Sequence, residues 1–450
     1  MAPEDRKQLR RSQFVYGLNT DGQYLLFHTL TKKLIVIPQN VNDYACGKQN
    51  FPATVLKQKI WKELYEDYFM VPEDASESQM YLEIKKILVL QEELPKGITQ
   101  YVILPTTTCN ARCFYCFEQG MAYRKMSLET VEDTIRFILV HKPKEGKQIN
   151  IHWFGGEPMC ATDHIDRICD GLKDAGIEYT AEMTSNGSLF TKEAVKKAIE
   201  KWNIRKIQIT LDGLSEEYAR RKRYSEGIKN PFETVIRNVH LMITAGIQVT
   251  IRLNTDEDNA EEIFRTADYL KEEFNEEERR RMWIYANPLY GQKGEGLYNC
   301  PVATTTDALE AKVTEINEYL LRQGITSFEL GNLLEFRTHY CMVTTPECCT
   351  LIDSTGRLYA CEGMPESMQY GNVKTGIDPD AWRRVTTPCD IRPECEKCVF
   401  LPLCTEFDRC PNRLGWNDCF RREKRKLENQ LRIAWEIIRD GQKEADHVSD

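Results

Sequence analysis

The chain has 450 residues, too many for one ordinary domain, so two or three units are expected. A net charge of −9 argues against nucleic acid as the main partner, because a phosphate-binding surface needs an excess of Lys and Arg, and leaves room only for a local basic patch. No run of about 18 apolar residues exists to span a membrane, and the N-terminus has no signal-peptide pattern, so a cytoplasmic protein with no membrane partner is expected.

Residues 1–95 read as a small α+β module. Short strands are predicted at Phe14–Tyr16, Tyr24–His28 and Leu34–Ile37, with a turn at Asn19–Gly22. Helical patterns follow at Ala53–Tyr68 and Glu77–Val89. The order suits a winged-helix-like module whose edge strand would accept an extended peptide, or a structural extension.

Residues 96–300 alternate strand and helix. Strands are predicted at Gln100–Pro105, Ile149–Phe154, Ile177–Met183, Ile204–Leu211, Gln248–Leu253 and Met282–Asn287, with five helical patterns between them. This order implies an α/β fold with a parallel sheet and right-handed crossovers. The apolar, β-branched strands predict a sheet buried on both faces. The pattern does not separate an open sheet from an incomplete barrel, and either places the site at the C-terminal strand ends.

Residues 301–450 lose this rhythm. An irregular domain held by metal is expected, closed by an amphipathic helix at Arg421–Arg439.

Of the seventeen cysteines, three fall at 109–116 and ten between 341 and 419. In a large chain with no secretion signal, metal is a better account of them than disulfides. Cys109, Cys113 and Cys116 follow the first strand of the alternating region. Three thiolates suit a [4Fe–4S] cluster with one open iron, whereas structural zinc wants four ligands, usually as CxxC pairs. In the second field, eight ligands would hold two more clusters or two zinc ions, and spacing alone admits both.

With Tyr115 the first cluster reads CxxxCxΦC, Φ being aromatic, and so resembles the radical S-adenosylmethionine (SAM) superfamily. The resemblance implies a partial (β/α)6 barrel, a [4Fe–4S] cluster on Cys109, Cys113 and Cys116, and SAM on the open iron. Gly155, Gly156, Glu157 and Pro158 match the family's GGEP motif, which meets the SAM amino group. Ser185 and Asn186 match a ribose-contacting position. Thr210 and Asp212 end the fourth strand, where a Ser or Thr often touches SAM. Arg252 and Asn254 end the fifth, and Arg252 resembles the Arg that pairs with the SAM carboxylate. Plainer readings stand beside these: Asp212-Gly213 as a helix cap, and Arg252 in a structural ion pair.

The later cysteines resemble the SPASM auxiliary-cluster domain. By order, Cys341, Cys348 or Cys349, Cys361 and Cys410 would hold one auxiliary [4Fe–4S] cluster, making three with the next. Cys395, Cys398, Cys404 and Cys419 would hold the other. Five residues separate Cys404 from Cys410 where the family has three, and Cys389 is a possible substitute ligand. Glu362 stands where sulfatase-maturating relatives carry an Asp base; the plainer reading is a loop carboxylate.

The resemblance implies a ribosomal peptide maturase. It would bind a precursor peptide through its leader and take electrons from a low-potential donor such as flavodoxin or ferredoxin. An intramolecular thioether is the expected product, favoured if the peptide thiolate ligates auxiliary iron. A carbon–carbon crosslink comes second, and formylglycine formation on a sulfatase third. Outside this class stand a zinc-stabilised peptide-binding scaffold and an iron–sulfur electron carrier.

Overall fold

The computed structural model describes residues 8–20, 22–37, 44, 51–91, 97–116, 118, 122–144, 148–225, 227–289, 306–327, 333–334, 348–364, 366–386, 392–404 and 416–448. Cys46, Cys300, Cys341, Cys389 and Cys410 lie outside them.

The described residues form two compact units. One draws on Met1–Glu93, Phe328–Tyr340 and Pro388–Asp450, the other on Leu94–Ser327 and Cys341–Thr387.

In the first unit, β1 (Gln8–Arg11), β2 (Val15–Thr20), β3 (Gln23–His28), β4 (Leu34–Ile37), β5 (Phe51–Pro52) and β6 (Met70–Pro72) build two three-stranded antiparallel sheets. Their orders are β5-β1-β6 and β2-β3-β4. Helices α1 (Lys59–Glu66) and α2 (Glu77–Gln91) accompany them.

In the second unit, β7 (Gln100–Ile103), β8 (Ile149–Trp153), β9 (Tyr179–Ser185), β10 (Ile204–Leu211), β11 (Gln248–Thr255) and β12 (Met282–Pro288) pair in parallel in sequence order. This is the α/β partial barrel. Between the strands run α3 (Leu128–His141), α4 (Thr162–Asp174), α5 (Lys192–Glu200), α6 (Ser215–Lys222), α7 (Pro231–Thr244) and α8 (Ala260–Glu273). A single turn, α9 (Glu276–Arg279), and α10 (Asp307–Arg322) complete this layer. Local chemistry sets the helix starts: Ser127 and Thr191 cap α3 and α5 by accepting from the Thr130 and Ala194 amides.

Strands β8, β9 and β12 alternate in burial, contrary to the two-sided burial expected of them, whereas β11 is buried on both faces except at Gln248 and Arg252. Ile149, Ile151 and Trp153 of β8, and Ile207, Ile209 and Leu211 of β10, lie in the apolar core with residues of the helices. The opposite face carries half-buried Asn150, His152, Thr180, Glu182, Thr184, Gln208, Thr210 and Arg252. Asn150 donates to Thr180 (3.2 Å), His152 bonds Thr184 (2.9 Å) and Tyr285 donates to Gln208 (3.2 Å). A parallel sheet with one polar face is the sheet of an incomplete barrel, whose inner wall is lined rather than filled.

The region expected to be irregular extends the same sheet. β13 (Cys349–Ile352) pairs in parallel with β7, and β14 (Arg357–Tyr359), β15 (Gly371–Asn372) and β16 (Gly376–Ile377) follow antiparallel. A short helix, α11 (Pro379–Thr386), ends this part. The first unit then resumes and closes with α12 (Trp416–Val448), longer at both ends than the helix expected.

Candidate active site

The cluster loop leaves β7 and crosses the C-terminal strand ends, where three turns hold it. The first is Gly155-Gly156-Glu157-Pro158. A Cβ on Gly156 would stand 2.5 Å from the Thr108 carbonyl oxygen, and one on Gly155 2.5 Å from that of Thr106. Gly155 also has φ +112°. Only glycine lets the two loops touch backbone to backbone. The Gly156 amide donates to the Thr106 carbonyl (3.1 Å) and the Glu157 amide to that of Thr108 (2.9 Å).

Glu157 is wholly buried and accepts from protein donors. Ser185 Oγ (2.8 Å) and the Met159 amide (3.1 Å) donate to Oε1, and the Asn186 amide (2.8 Å) donates to Oε2. The GGEP carboxylate thus braces the second turn, Ser185–Ser188. There Asn186 Nδ2 donates to Asn110 Oδ1 (2.8 Å), Asn110 Nδ2 to Ser188 Oγ (2.9 Å), and Ser188 Oγ to Asn186 Oδ1 (2.6 Å). Asn110 lies in the cluster loop, so this ring fixes it to β9.

The third support is the end of α6. The Arg112 amide donates to the Lys222 carbonyl (2.8 Å), and the Ser225 amide to that of Asn110 (2.8 Å). Arg223 turns left-handed at φ +49° to end the helix. Lys222, absent from the sequence-based candidates, is 2% exposed. Its ammonium donates to Tyr115 Oη (2.7 Å) and Thr210 Oγ1, and pairs with Asp212 at 3.2 Å. Tyr115 donates to Asp212, and Asn254 Nδ2 to Tyr115 (3.2 Å). Asp212 does not cap α6, whose N-cap position is Leu214. One buried network therefore joins Tyr115, Thr210, Asp212 and Asn254. Arg252 stands in register with Thr210, and its buried Nε has no partner among the described residues.

Within the loop, the Cys109, Cys113 and Cys116 thiols lie in one another's electrostatic field. Burial pushes Cys109 up to about 12 and Cys116 up to about 11, and raises Cys113. Cys109 Sγ accepts from the Ala111 amide (3.3 Å) and Asn186 Nδ2 (3.9 Å). Buried thiols hold their protons until a metal displaces them, and N–H donors then stabilise the thiolate. Among the described residues, no three Cys, His, Asp or Glu side chains form a site for a single metal ion. A [4Fe–4S] cluster does not require one, since each thiolate binds its own iron. A three-thiol donor set with N–H bonds to sulfur fits that group.

In the first unit, Cys395, Cys398, Cys404 and Cys419 line one small cavity with Phe400, Leu401, Phe420 and Glu423. The structure thus brings together the four residues expected to share a cluster. Of the other expected set, Cys348 and Cys349 are buried and Cys361 is half-buried. The Cys349 thiol donates to Gln100 (3.2 Å). Cys341 and Cys410 lie outside the described residues. Glu362 lines a cavity beside the cluster loop and lies in the electrostatic field of His152.

Residues 103–273 match the model of the Radical SAM superfamily. This segment is a radical SAM domain, and the members of that superfamily are enzymes. The superfamily implies SAM and a [4Fe–4S] cluster. The chain is 24% identical over 193 residues to the radical SAM cyclopropyl synthase TigE of Paramaledivibacter caminithermalis, covering 39% of this chain and 40% of TigE. It is 26% identical over 195 residues to the GTP 3′,8-cyclase of Staphylococcus epidermidis, covering 41% and 54%. The match therefore spans about half or less of these relatives. Among solved structures, anSMEcpe with bound AdoMet superposes with TM-score 0.58 at 15% identity, covering 75% of this chain and all of that one. Streptococcus suis SuiB bound to S-adenosylmethionine gives 0.50 at 15% identity, covering 89% and 95%. These two likenesses are of fold. Among the described residues, no helix is long and apolar enough to cross a membrane.

Proposed function

We propose that this enzyme matures a ribosomally made precursor peptide by closing a thioether between a cysteine sulfur and a carbon of the same peptide. The observation that carries the reading is the presence of two separate thiol sites. Cys109, Cys113 and Cys116 lie at the barrel's strand ends, and Cys395, Cys398, Cys404 and Cys419 surround a cavity in the other unit. Cleaving SAM requires the first alone. A second suits a reaction that oxidises its substrate and must pass on an electron. Two structural parallels add support: SuiB has been solved with its precursor peptide SuiA, and anSMEcpe with a Cp18Cys peptide.

When bound, SAM and a [4Fe–4S] cluster on Cys109, Cys113 and Cys116 supply a 5′-deoxyadenosyl radical that removes a hydrogen atom. The chain's own residues bind and orient. In this reading the Gly155-Gly156 backbone and Asn186 would border SAM, and Arg252, whose buried Nε has no partner among the described residues, would pair with its carboxylate. Lys222 and Asp212 hold Tyr115 in place. The polar inner wall, from Asn150 to Arg252, receives the peptide, and Glu362 takes a proton from it. Cys395, Cys398, Cys404 and Cys419 would hold one auxiliary cluster. Cys341, Cys348 or Cys349, Cys361 and Cys410 would hold another. Residues 1–95 would bind the leader, and a flavodoxin or ferredoxin would supply electrons. A carbon–carbon crosslink is the second reading.

Iron and sulfide analysis of anaerobically reconstituted protein tests the cofactor count. About twelve irons are expected, falling to about eight in a Cys109/Cys113/Cys116→Ala variant. Mass spectrometry of a co-expressed precursor tests the product. A thioether removes two hydrogens and makes one peptide cysteine resistant to alkylation. Loss of two hydrogens with every cysteine still alkylated would select the carbon–carbon crosslink, and no mass change would refute both.

A further inference from the structure

A cavity of about 220 Å³ beside the cluster loop, lined by Glu362 among others, lies outside the Lys222 network, and Glu118 within it has no role assigned above. Six charged residues line it: Glu118, Arg124, Asp353, Arg357, Glu362 and Glu366. Three of them are engaged with the protein. Asp353 Oδ1 accepts from the Thr355 amide (2.8 Å), the Thr355 hydroxyl (2.7 Å) and the Arg357 amide (2.9 Å), which shapes the β13–β14 turn. Arg357 pairs with Glu366 at 3.0 Å.

Glu118 differs. It is 6% exposed, and its Oε1 is buried with no hydrogen-bond partner among the described residues. A buried carboxyl oxygen with no donor is costly, and native structures rarely leave one so unless a ligand or water supplies the donor. Glu362 adds a second carboxylate to the same cavity, and Leu104, Ala122 and Leu351 add apolar wall. Carboxyl oxygens in want of a donor beside an apolar wall suit a side chain with a methylene stem and a cationic head.

We propose that this cavity binds a basic side chain, the ammonium of a lysine or the guanidinium of an arginine, in the peptide on which the enzyme acts. Glu118 is the partner of the cation, and the Leu104–Leu351 wall holds the stem. The inference rests on the reading of the substrate as a peptide.

N-acetyl-lysine-N-methylamide and its uncharged norleucine counterpart serve as probes, titrated into reconstituted holoenzyme with SAM by calorimetry. The lysine compound is expected to bind at least about tenfold more tightly, because its ammonium supplies the hydrogen-bond donor that the buried Glu118 oxygen lacks and norleucine has none to offer. Glu118→Gln should abolish the preference. Ala122→Lys places an internal ammonium in the cavity from an exposed position, and should abolish it without altering the buried carboxyl. Equal affinity for the two compounds, no detectable binding of either, or a preference that survives in both variants would overturn the proposal. The peptide reading fails by a separate result: the lysine preference stands while a co-expressed precursor shows no change in mass.

Discussion

Lys222 and Asp212 depend on each other. The side chains are 2% and 0% exposed, so the 3.2 Å pair is shielded from bulk solvent. Lys222→Met leaves an uncompensated carboxylate in the interior, a change that typically costs about 3–5 kcal/mol. Urea denaturation should show that loss, and adding Asp212→Asn should recover much of it, because a neutral amide tolerates the apolar neighbour. Equal stability of the single and double variants would mean that the two charges are not coupled. Lys222 was hidden in the sequence, because Arg220-Arg221-Lys222-Arg223 reads as the solvated basic end of a helix. The left-handed Arg223 ends that helix and docks its last turn on the cluster loop. Tyr115, Asp212 and Asn254 were legible because each stands at a fixed point of a strand-end motif. Glu118 was not legible, since no pattern marks a carboxyl for burial.

At the level of single elements, the six parallel strands and their helices were legible from periodicity. Their polar inner face was not, because half-buried Thr, Gln and Asn at alternate positions are weak signals beside runs of Ile and Leu. The β13–β14 hairpin was obscured by the surrounding cysteines, although Asp353-Ser354-Thr355-Gly356 is a turn signal. The β3–β4 connection shows how one side chain sets an element. His28 is buried at its start, and Nδ1 accepts from the Leu30 (3.3 Å) and Thr31 (3.2 Å) amides, while Nε2 faces the Tyr68 carbonyl (3.2 Å). That arrangement requires the neutral ring. Burial lowers His28 from 6.5 to about 4, outweighing the upward pull of Glu77. A depressed folded value means the contribution is fully present above pH 6.5 and is lost as pH falls from there through about 4. The size is about 3 kcal/mol. Hydrogen exchange at the Leu30 and Thr31 amides, corrected for intrinsic rate, should show protection falling across that window. Protection that stays flat from pH 6.5 to 4 would remove His28 as the determinant.

At the level of the whole molecule, the first unit is discontinuous in sequence. Phe14, Leu18, Leu25, Phe27 and Tyr81 share one apolar core with Cys398, Phe400, Leu401, Leu427, Leu431 and Trp435. Polar contacts join the same segments. Gln13 donates to the Glu396 carbonyl (3.0 Å), Thr29 to that of Val399 (2.6 Å), and Tyr16 to Glu428. Composition could not reveal this pairing, because nothing in either segment marks a partner more than 300 residues away. The consequence concerns the cysteine cavity. Tyr16 packs tilted against Phe400 (5.7 Å between ring centroids) and Phe400 against Phe420 (5.1 Å), and both phenylalanines line that cavity. Deleting residues 1–93 would therefore remove one side of the core behind Cys395, Cys398, Cys404 and Cys419. Each large apolar side chain stripped from such a core forfeits about 1.5–3 kcal/mol, and five are lost. The truncated protein should keep the iron of Cys109, Cys113 and Cys116 but lose about four irons from the other unit, or aggregate through its exposed Phe400 and Trp435. A soluble truncated protein with full iron content would show that the C-terminal site stands without the N-terminal sheets. Loss of both together would mean that leader binding cannot be tested by deletion. It would then have to be tested by substitution on the exposed edge of β4, where Val36 is 41% accessible.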